Sequence, residues 1–206
     1  MDSIKKLTEM FREFPGIGPR QAKRFAFYLL TRPNGYLNEF ADTVKNLKQK
    51  IRLCSSCFRF FGEDASKSGL CLICRSPERG KTSLLIVSKD VDFETIERSH
   101  SFKGLYFILG GTVPILDKDP ENRIRAKELR ATVERRAEKD GLKEIILAMS
   151  LNPEGENTEQ YINSLLQPLV TKHNIKISLL GRGLSTGTEL EYSDSETITN
   201  ALKNRA

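Results

Sequence analysis

Leu84-Leu85-Ile86-Val87, followed by Ser88-Lys89 and then by the charged segment Asp90 to Arg98, is the stretch on which the architecture turns. Four consecutive apolar residues leave no polar face, so a strand there must be covered on both sides. Asp90 to Arg98 has a helical pattern instead, and Leu105-Tyr106-Phe107-Ile108-Leu109 is a second apolar run. Towards the C-terminus, Arg123 to Lys139 reads as a long charged helix whose apolar residues are Ile124, Leu129 and Val133. Glu144 to Met149 reads as a third strand, Thr158 to Thr171 as a helix, Ile175 to Leu180 as a fourth strand and Ser195 to Lys203 as a last short helix. Apolar strands separated by helices predict a mostly parallel sheet covered on both faces, and the fold class is α/β.

Upstream of that sheet the pattern breaks. Residues 53–77 hold all four cysteines and no sustained helical or alternating period. Cys54-x2-Cys57 and Cys71-x2-Cys74 are separated by 13 residues. Each pair can wrap a turn so that both thiolates meet one cation, and two such turns supply a closed tetrahedral Zn2+ site. The segment is too short and polar to build its own core, and metal binding supplies folding free energy on the order of 10 kcal/mol. Two disulfides do not suit a cytosolic chain, and a redox pair needs one CxxC rather than two. Four thiolates leave no open coordination position, so the expectation is one structural zinc per chain, held by Cys54, Cys57, Cys71 and Cys74.

The first 52 residues are helical and basic. Ile4, Leu7, Phe11 and Phe14 mark one amphipathic helix, and Pro15-Gly16-Ile17-Gly18-Pro19 ends it. A second helix over roughly 19–31 puts Ala22, Phe25, Ala26 and Leu29 inward. Arg32-Pro33-Asn34-Gly35 reads as a turn, and Leu37, Phe40, Ala41, Val44, Leu47 and Ile51 mark a third helix. Of the net charge of +6, all falls here: residues 1–52 carry 11 basic and 5 acidic side chains, and the rest carries 22 of each. A local basic excess suits a polyanion, although an ordinary solvated helix surface gives the same count. The hairpin sharpens the choice. Gly16 and Gly18 allow a tight turn and close approach, and the N–H groups opening the second helix suit a phosphate. Arg20, Lys23 and Arg24 follow at spacings that share a face. These five residues are the expected contacts to the nucleic-acid backbone, independent of sequence. No aromatic platform is evident, so base stacking is not expected.

Several function classes are excluded. A chain of 206 residues with 38% hydrophobic and 29% charged residues is neither low-complexity nor disordered throughout. No apolar run approaches the roughly 18 residues that span a bilayer, and Met1 to Lys6 has no secretory core, so a cytoplasmic protein without a membrane partner is expected. Arg79-Gly80-Lys81-Thr82 lacks the earlier glycine of a P-loop and precedes a strand rather than following one. Gly181-x-Gly183-x3-Gly187 is not a dinucleotide fingerprint. His100 and His173 are the only histidines and sit in no Ser or Asp cluster. A carboxylate after the first strand together with an acidic pair after a later one could hold Mg2+ for phosphoryl chemistry. Here the first strand ends in Ser88-Lys89, which leaves the Glu154/Glu156 pair without an opposing carboxylate. That pair reads as a solvated acidic loop, a docking patch for a basic protein or, least, a catalytic site.

The order of parts resembles the bacterial recombination mediators of the RecR family. The matching stretches are Phe14-Pro15-Gly16-Ile17-Gly18-Pro19, the two CxxC pairs, Gly104-Leu105-Tyr106 with Leu109-Gly110-Gly111, Glu154-Gly155-Glu156, and Arg182-Gly183-Leu184 leading into Glu189-Leu190-Glu191-Tyr192. The resemblance implies four parts: a helix-hairpin-helix DNA-binding unit (1–52), a four-cysteine zinc finger (53–78), a Toprim-like Rossmannoid α/β domain (79–177) and a C-terminal oligomerisation segment (178–206). It further implies a non-enzymatic repair factor that assembles as a homo-oligomer, a dimer or tetramer ring. Such a clamp works with a RecO-like or RecF-like protein to load RecA on gapped or single-stranded DNA, and takes no small-molecule substrate. Lys23 and Arg24 would face DNA, and Glu154 and Glu156 would meet the partner. Ser88-Lys89 replaces the acidic pair usual after the first Toprim strand, and Ser150-Leu151-Asn152-Pro153 replaces the usual residues before Glu-Gly-Glu. The main alternative is a Mg-dependent Toprim-type nuclease or nucleotidyl transferase, for which Asp90 or Asp92 would have to serve as the missing carboxylate. A zinc-containing adaptor that binds only protein is a further alternative, and the basic hairpin speaks against it.

Overall fold

Asp2 starts the first helix: its Oδ1 accepts the Ile4 N–H at 3.2 Å, and α1 runs Ser3–Arg12. The computed structural model describes residues 2–62, 68–117, 119–181, 193 and 195–203. It divides the chain into two units, residues 1–52 and 53–206. In the first unit α1 packs on α2 (Pro19–Leu30). Phe11 meets the Phe25 ring edge-on at 5.6 Å, and Ala22 and Ala26 are buried between the helices, their small side chains letting the backbones approach. The turn between them is closed by the Ile17 N–H on the Phe14 carbonyl at 3.1 Å and needs a positive φ of 76° at Gly16. Pro19 occupies the first helical position, where its missing N–H costs nothing.

α3 spans Asn34–Lys50. The expected turn at 32–35 is thus half helix: Pro33, extended at φ −64° and ψ 153°, is the N-cap, and Asn34 and Gly35 already belong to the first turn. Proline fixes a φ that serves equally well as a helix entry. No residue of α3 is buried. Its periodic apolar residues Phe40, Val44 and Leu47 are exposed, so the third helix forms as expected but adds no buried core.

β1 (Ile51–Leu53) and β2 (Phe60–Gly62) flank the first cysteine pair, and the four-residue helix α4 (Leu72–Arg75) carries the last cysteine. The α/β layer follows as β3 (Ser83–Val87), α5 (Asp90–Arg98), β4 (Leu105–Ile108), α6 (Ala126–Asp140), β5 (Glu144–Ala148), α7 (Pro153–His173) and β6 (Lys176–Leu179). The last helix, α8, spans Ser195–Lys203. The four strands form one sheet in the order β4-β3-β5-β6. All three pairings are parallel, with Leu85 opposite Tyr106 and Ile146, and Ile146 opposite Ser178. Leu84 to Val87 and Tyr106 to Leu109 are all buried. Consecutive side chains point to opposite faces, so both faces of the central strands are covered, as expected.

Two helix starts differ from the expectation. α6 begins at Ala126 rather than Arg123, because Pro120–Asn122 forms a separate 3-10 turn. α7 begins at Pro153 rather than Thr158. Asn152 caps it by accepting the Gly155 N–H at 2.8 Å, and Glu154 and Glu156 lie in its first turn, not in a loop. Gly155 is required there: a Cβ would overlap the Ser150 carbonyl oxygen. Among the described residues no helix is long and apolar enough to cross a membrane. The tail stretch Arg182 to Tyr192 lies outside the described residues.

Candidate metal centre and nucleic-acid interface

The two CxxC turns close on each other. Cys54 donates its N–H to the Arg59 carbonyl at 2.9 Å and its carbonyl accepts from Phe58 at 3.0 Å, which tightens the first turn. Phe58 sits at φ 61° to complete it. In the second, Cys71 caps α4 and its N–H points at Cys54 Sγ, 3.4 Å away. The four sulfurs lie within 4.8 Å of one another, with Cys57 and Cys71 at 3.6 Å. A tetrahedral ion with sulfur at about 2.3 Å separates its ligands by about 3.8 Å, so the set fits one metal ion. All four are free thiols, three of them fully buried. Crowding splits their acidities: Cys54 is pulled below the ordinary thiol range, chiefly by Cys57, while Cys57 and Cys74 are pushed above it, each chiefly by Cys54. Four thiolates in one pocket repel, and a divalent cation removes that penalty.

This centre is fastened to the edge of the sheet. The Ile108 N–H, on edge strand β4, donates to the Cys57 carbonyl at 2.8 Å. Arg125 Nη1 donates to the carbonyls of Phe58, at 3.0 Å, and Ile108, at 2.8 Å. Arg136 Nη2 donates to Ser56 Oγ at 3.0 Å, inside the first CxxC. Sequence reasoning found the four ligands but neither arginine. Both contact the cysteine turns across more than 60 positions of chain, and no local spacing announces them.

In the helical unit the structure leaves the five expected contacts exposed and brings the three basic ones to one depression. Gly16, Gly18, Arg20, Lys23 and Arg24 are all solvent-exposed. An open depression of about 780 Å3 is lined by Arg20, Lys23, Arg24, Phe27, Tyr28 and Thr31. No atom lies within 4 Å of where a Cβ on Gly16 or Gly18 would stand, so the approach to the N-terminus of α2 is clear. No aromatic platform was evident in the sequence, but exposed rings do stand on this surface. Lys23 Nζ lies 5.9 Å from the centre of the exposed Phe27 ring, and the Arg32 guanidinium lies 4.0 Å from that of Tyr28. The signal was the i, i+4 spacing of Lys23 with Phe27 and of Tyr28 with Arg32.

Glu154 and Glu156 are exposed in the first turn of α7. Thr112 Oγ1 donates to Glu154 Oε2 at 3.1 Å, and the buried Thr158 hydroxyl accepts the Val113 N–H at 2.8 Å, tying the segment after β4 to this turn. The carboxylates considered for metal chemistry after β3 have other partners. Asp90 Oδ1 accepts the Phe60 N–H at 2.8 Å, and Asp92 Oδ2 accepts the Lys89 N–H at 3.0 Å, capping α5. Ser88 is buried, with its hydroxyl donating to Met149 Sδ at 3.1 Å.

A helical hairpin, a four-cysteine cluster and a parallel α/β sheet in one chain define a Toprim protein with a helix-hairpin-helix unit. Family models agree: residues 4–48 match "RecR, helix-hairpin-helix", residues 82–181 match "Toprim domain" and residues 183–206 match "RecR, C-terminal". The chain belongs to the RecR family. It is 34% identical to the recombination protein RecR of Bifidobacterium longum subsp. infantis, over 98% of this chain and 95% of that one. It is 35% identical to that of Rippkaea orientalis, over 98% and 95%, and 36% identical to that of Prochlorococcus marinus, over 98% and 94%.

Proposed function

We propose that this chain is a non-enzymatic, cytoplasmic recombination mediator in DNA repair. It binds DNA without reading sequence, as part of a ring or clamp, and works with a RecO-like or RecF-like protein to load RecA at gapped or single-stranded DNA. The observation that carries this reading is the exposed start of α2, where open glycines, free helical N–H groups and Arg20, Lys23 and Arg24 converge. Backbone N–H groups and cations position phosphates and read no base.

The division of labour follows the four parts. Residues 1–52 contact DNA, residues 53–78 hold one structural Zn2+ through Cys54, Cys57, Cys71 and Cys74, residues 79–177 form the Toprim-like domain, and residues 178–206 serve assembly. Four thiolates and no open position suit zinc, which braces the fold and supplies no reaction. Homo-oligomers are supported by the exposed apolar residues Phe40, Val44 and Leu47 on α3, which a second copy can cover. A charge of +6 per chain binds DNA weakly alone, and a ring repeating the basic face gains avidity. Glu154 and Glu156, exposed at the start of α7, offer a basic partner a fixed pair of carboxylates.

The test is DNA affinity against salt, with and without Mg2+, while the DNA is followed for cleavage. Affinity that falls steeply with salt, needs no Mg2+ and leaves the DNA intact supports the clamp. Mg2+-dependent nicking overturns it in favour of a Toprim-type nuclease.

A further inference from the structure

A divalent ion held by four thiolates keeps two net negative charges, and burying them has a cost that an adjacent cation offsets. Among the described residues Arg136 is the one buried charged side chain, only 3% exposed. It lies on α6, yet it lines the same cavity of about 610 Å3 as Cys74 and Ser56. Its Nη2 is held by the Ser56 hydroxyl between the two cysteines of the first pair, at 3.0 Å, and its Nη1 lies 3.5 Å from Asp140 Oδ2. Its Nε–H is buried and has no hydrogen-bond partner. A guanidinium stays charged even when buried, and a single carboxylate shared with Lys81, at 3.9 Å, is a thin counter-charge for it. The remaining cations around this cavity, Lys81 and Arg135, are solvent-exposed and screened.

We propose that Arg136 is the counter-cation of the four-thiolate centre, a positioning residue that lowers the energy of the bound thiolates and slows loss of the metal. The buried charge and the metal centre explain each other: among the described residues the cysteine turns bring no buried cation of their own, the half-buried Asp140 counters the guanidinium at one nitrogen only, and α6 delivers the arginine to the cysteines. This rests on the reading of the cysteines as a metal site.

The test uses the full chain loaded with Zn2+, and separately with Co2+, in the wild type and in Arg136→Gln, Arg136→Lys and Asp140→Asn. Release of Zn2+ to a chromogenic chelator is expected to be about tenfold faster in Arg136→Gln and close to wild type in Arg136→Lys, the size usual for groups that orient metal ligands. The sulfur-to-cobalt charge-transfer band reports thiolate energy directly. It shifts to lower energy in Arg136→Gln and to higher energy in Asp140→Asn, which frees the guanidinium from its carboxylate. A purely structural arginine moves neither band. Should Arg136→Gln fail to fold, the Lys and Asp140 variants decide: an unshifted band and an unchanged release rate in Asp140→Asn overturn the proposal. A wild-type chain that binds neither ion overturns the metal reading itself. One bound ion with equal release and equal bands in all variants overturns only the role of Arg136.

Discussion

The α/β unit and the helical unit spend their apolar residues differently. In the sheet, Leu84 to Val87 and Tyr106 to Leu109 are at most 2% exposed. In residues 2–52 only Ala22 and Ala26 are buried, while Phe14, Tyr36, Phe40, Val44 and Leu47 are at least 40% exposed. Both regions have a clear apolar pattern, runs in one and helical stripes in the other, but only the sheet buries it within its own unit. Burial stabilises by roughly 25 cal/mol per Å2 of apolar area. The sheet therefore carries the stability, and the hairpin leaves most of its apolar side chains exposed.

The comparison is broken most severely by taking away the metal. Residues 53–77 are too few to bury a core of their own, and Phe58, Phe61, Leu70 and Ile73 pack on the main core instead, so a metal ion should contribute on the order of 10 kcal/mol there. Cys71→Ser, or exhaustive chelation, is expected to release the ion and lower the thermal midpoint of the α/β unit by more than any single core substitution. Metal analysis combined with a circular dichroism melt reads this. A metal-free chain that melts with the wild type would show that the cysteine turns are held by the sheet alone.

Next in size is Gly155→Ala. The new Cβ would strike the Ser150 carbonyl, a backbone atom that cannot move without shifting the start of α7. Overpacking of this kind costs up to about 3 kcal/mol, or roughly 10 °C in a chain of this length. Loss of partner binding should accompany it, because Glu154 and Glu156 flank the position. A variant with an unaltered melting midpoint would show that this turn is not rigid.

Changing Lys23 and Arg24 to Glu tests the other side of the comparison. Both side chains are exposed, so the melt should stay within about 0.5 kcal/mol of wild type. DNA affinity at low salt should fall roughly 100-fold, and the slope of log affinity against log salt should drop by about two. Unchanged binding would move the DNA interface elsewhere.

How much of this was legible in the sequence follows from the same contrast. The four strands of the parallel sheet were found to within a residue, because an apolar run bounded by charges has few other solutions; the three-residue strands β1 and β2 beside the cysteines were not, being too short to show a period. The cysteine set was found because its spacing is local. The early start of α7 was missed although Asn152-Pro153-Glu154 is a helix entry: an N-cap, a proline at the first position and an acid in the first turn. The exposure of α3 was not legible, since periodicity states which face is apolar and not whether anything covers it. Arg125 and Arg136 were not legible because their partners, Phe58 and Ser56, lie 67 and 80 positions away.

The finest test separates the two hairpin glycines. Gly16 has φ 76°, so Gly16→Ala should cost about 1 kcal/mol through backbone strain. Gly18 is different: it is extended at φ −80° and ψ 169°, and a Cβ there meets nothing. The stability lost in Gly18→Ala should be roughly 0.5–1 kcal/mol, the gap between glycine and alanine at an N-cap. If Gly18 serves only the turn, DNA binding should then survive intact. If it leaves room for a phosphate at the N–H groups of α2, the added methyl occupies that room. Affinity should fall several-fold with a melt no lower than that of Gly16→Ala. Measured beside Gly16→Ala in the same salt, a loss of binding confined to Gly18 identifies the start of α2 as the phosphate seat, and equal losses in both variants reduce the hairpin to a structural turn.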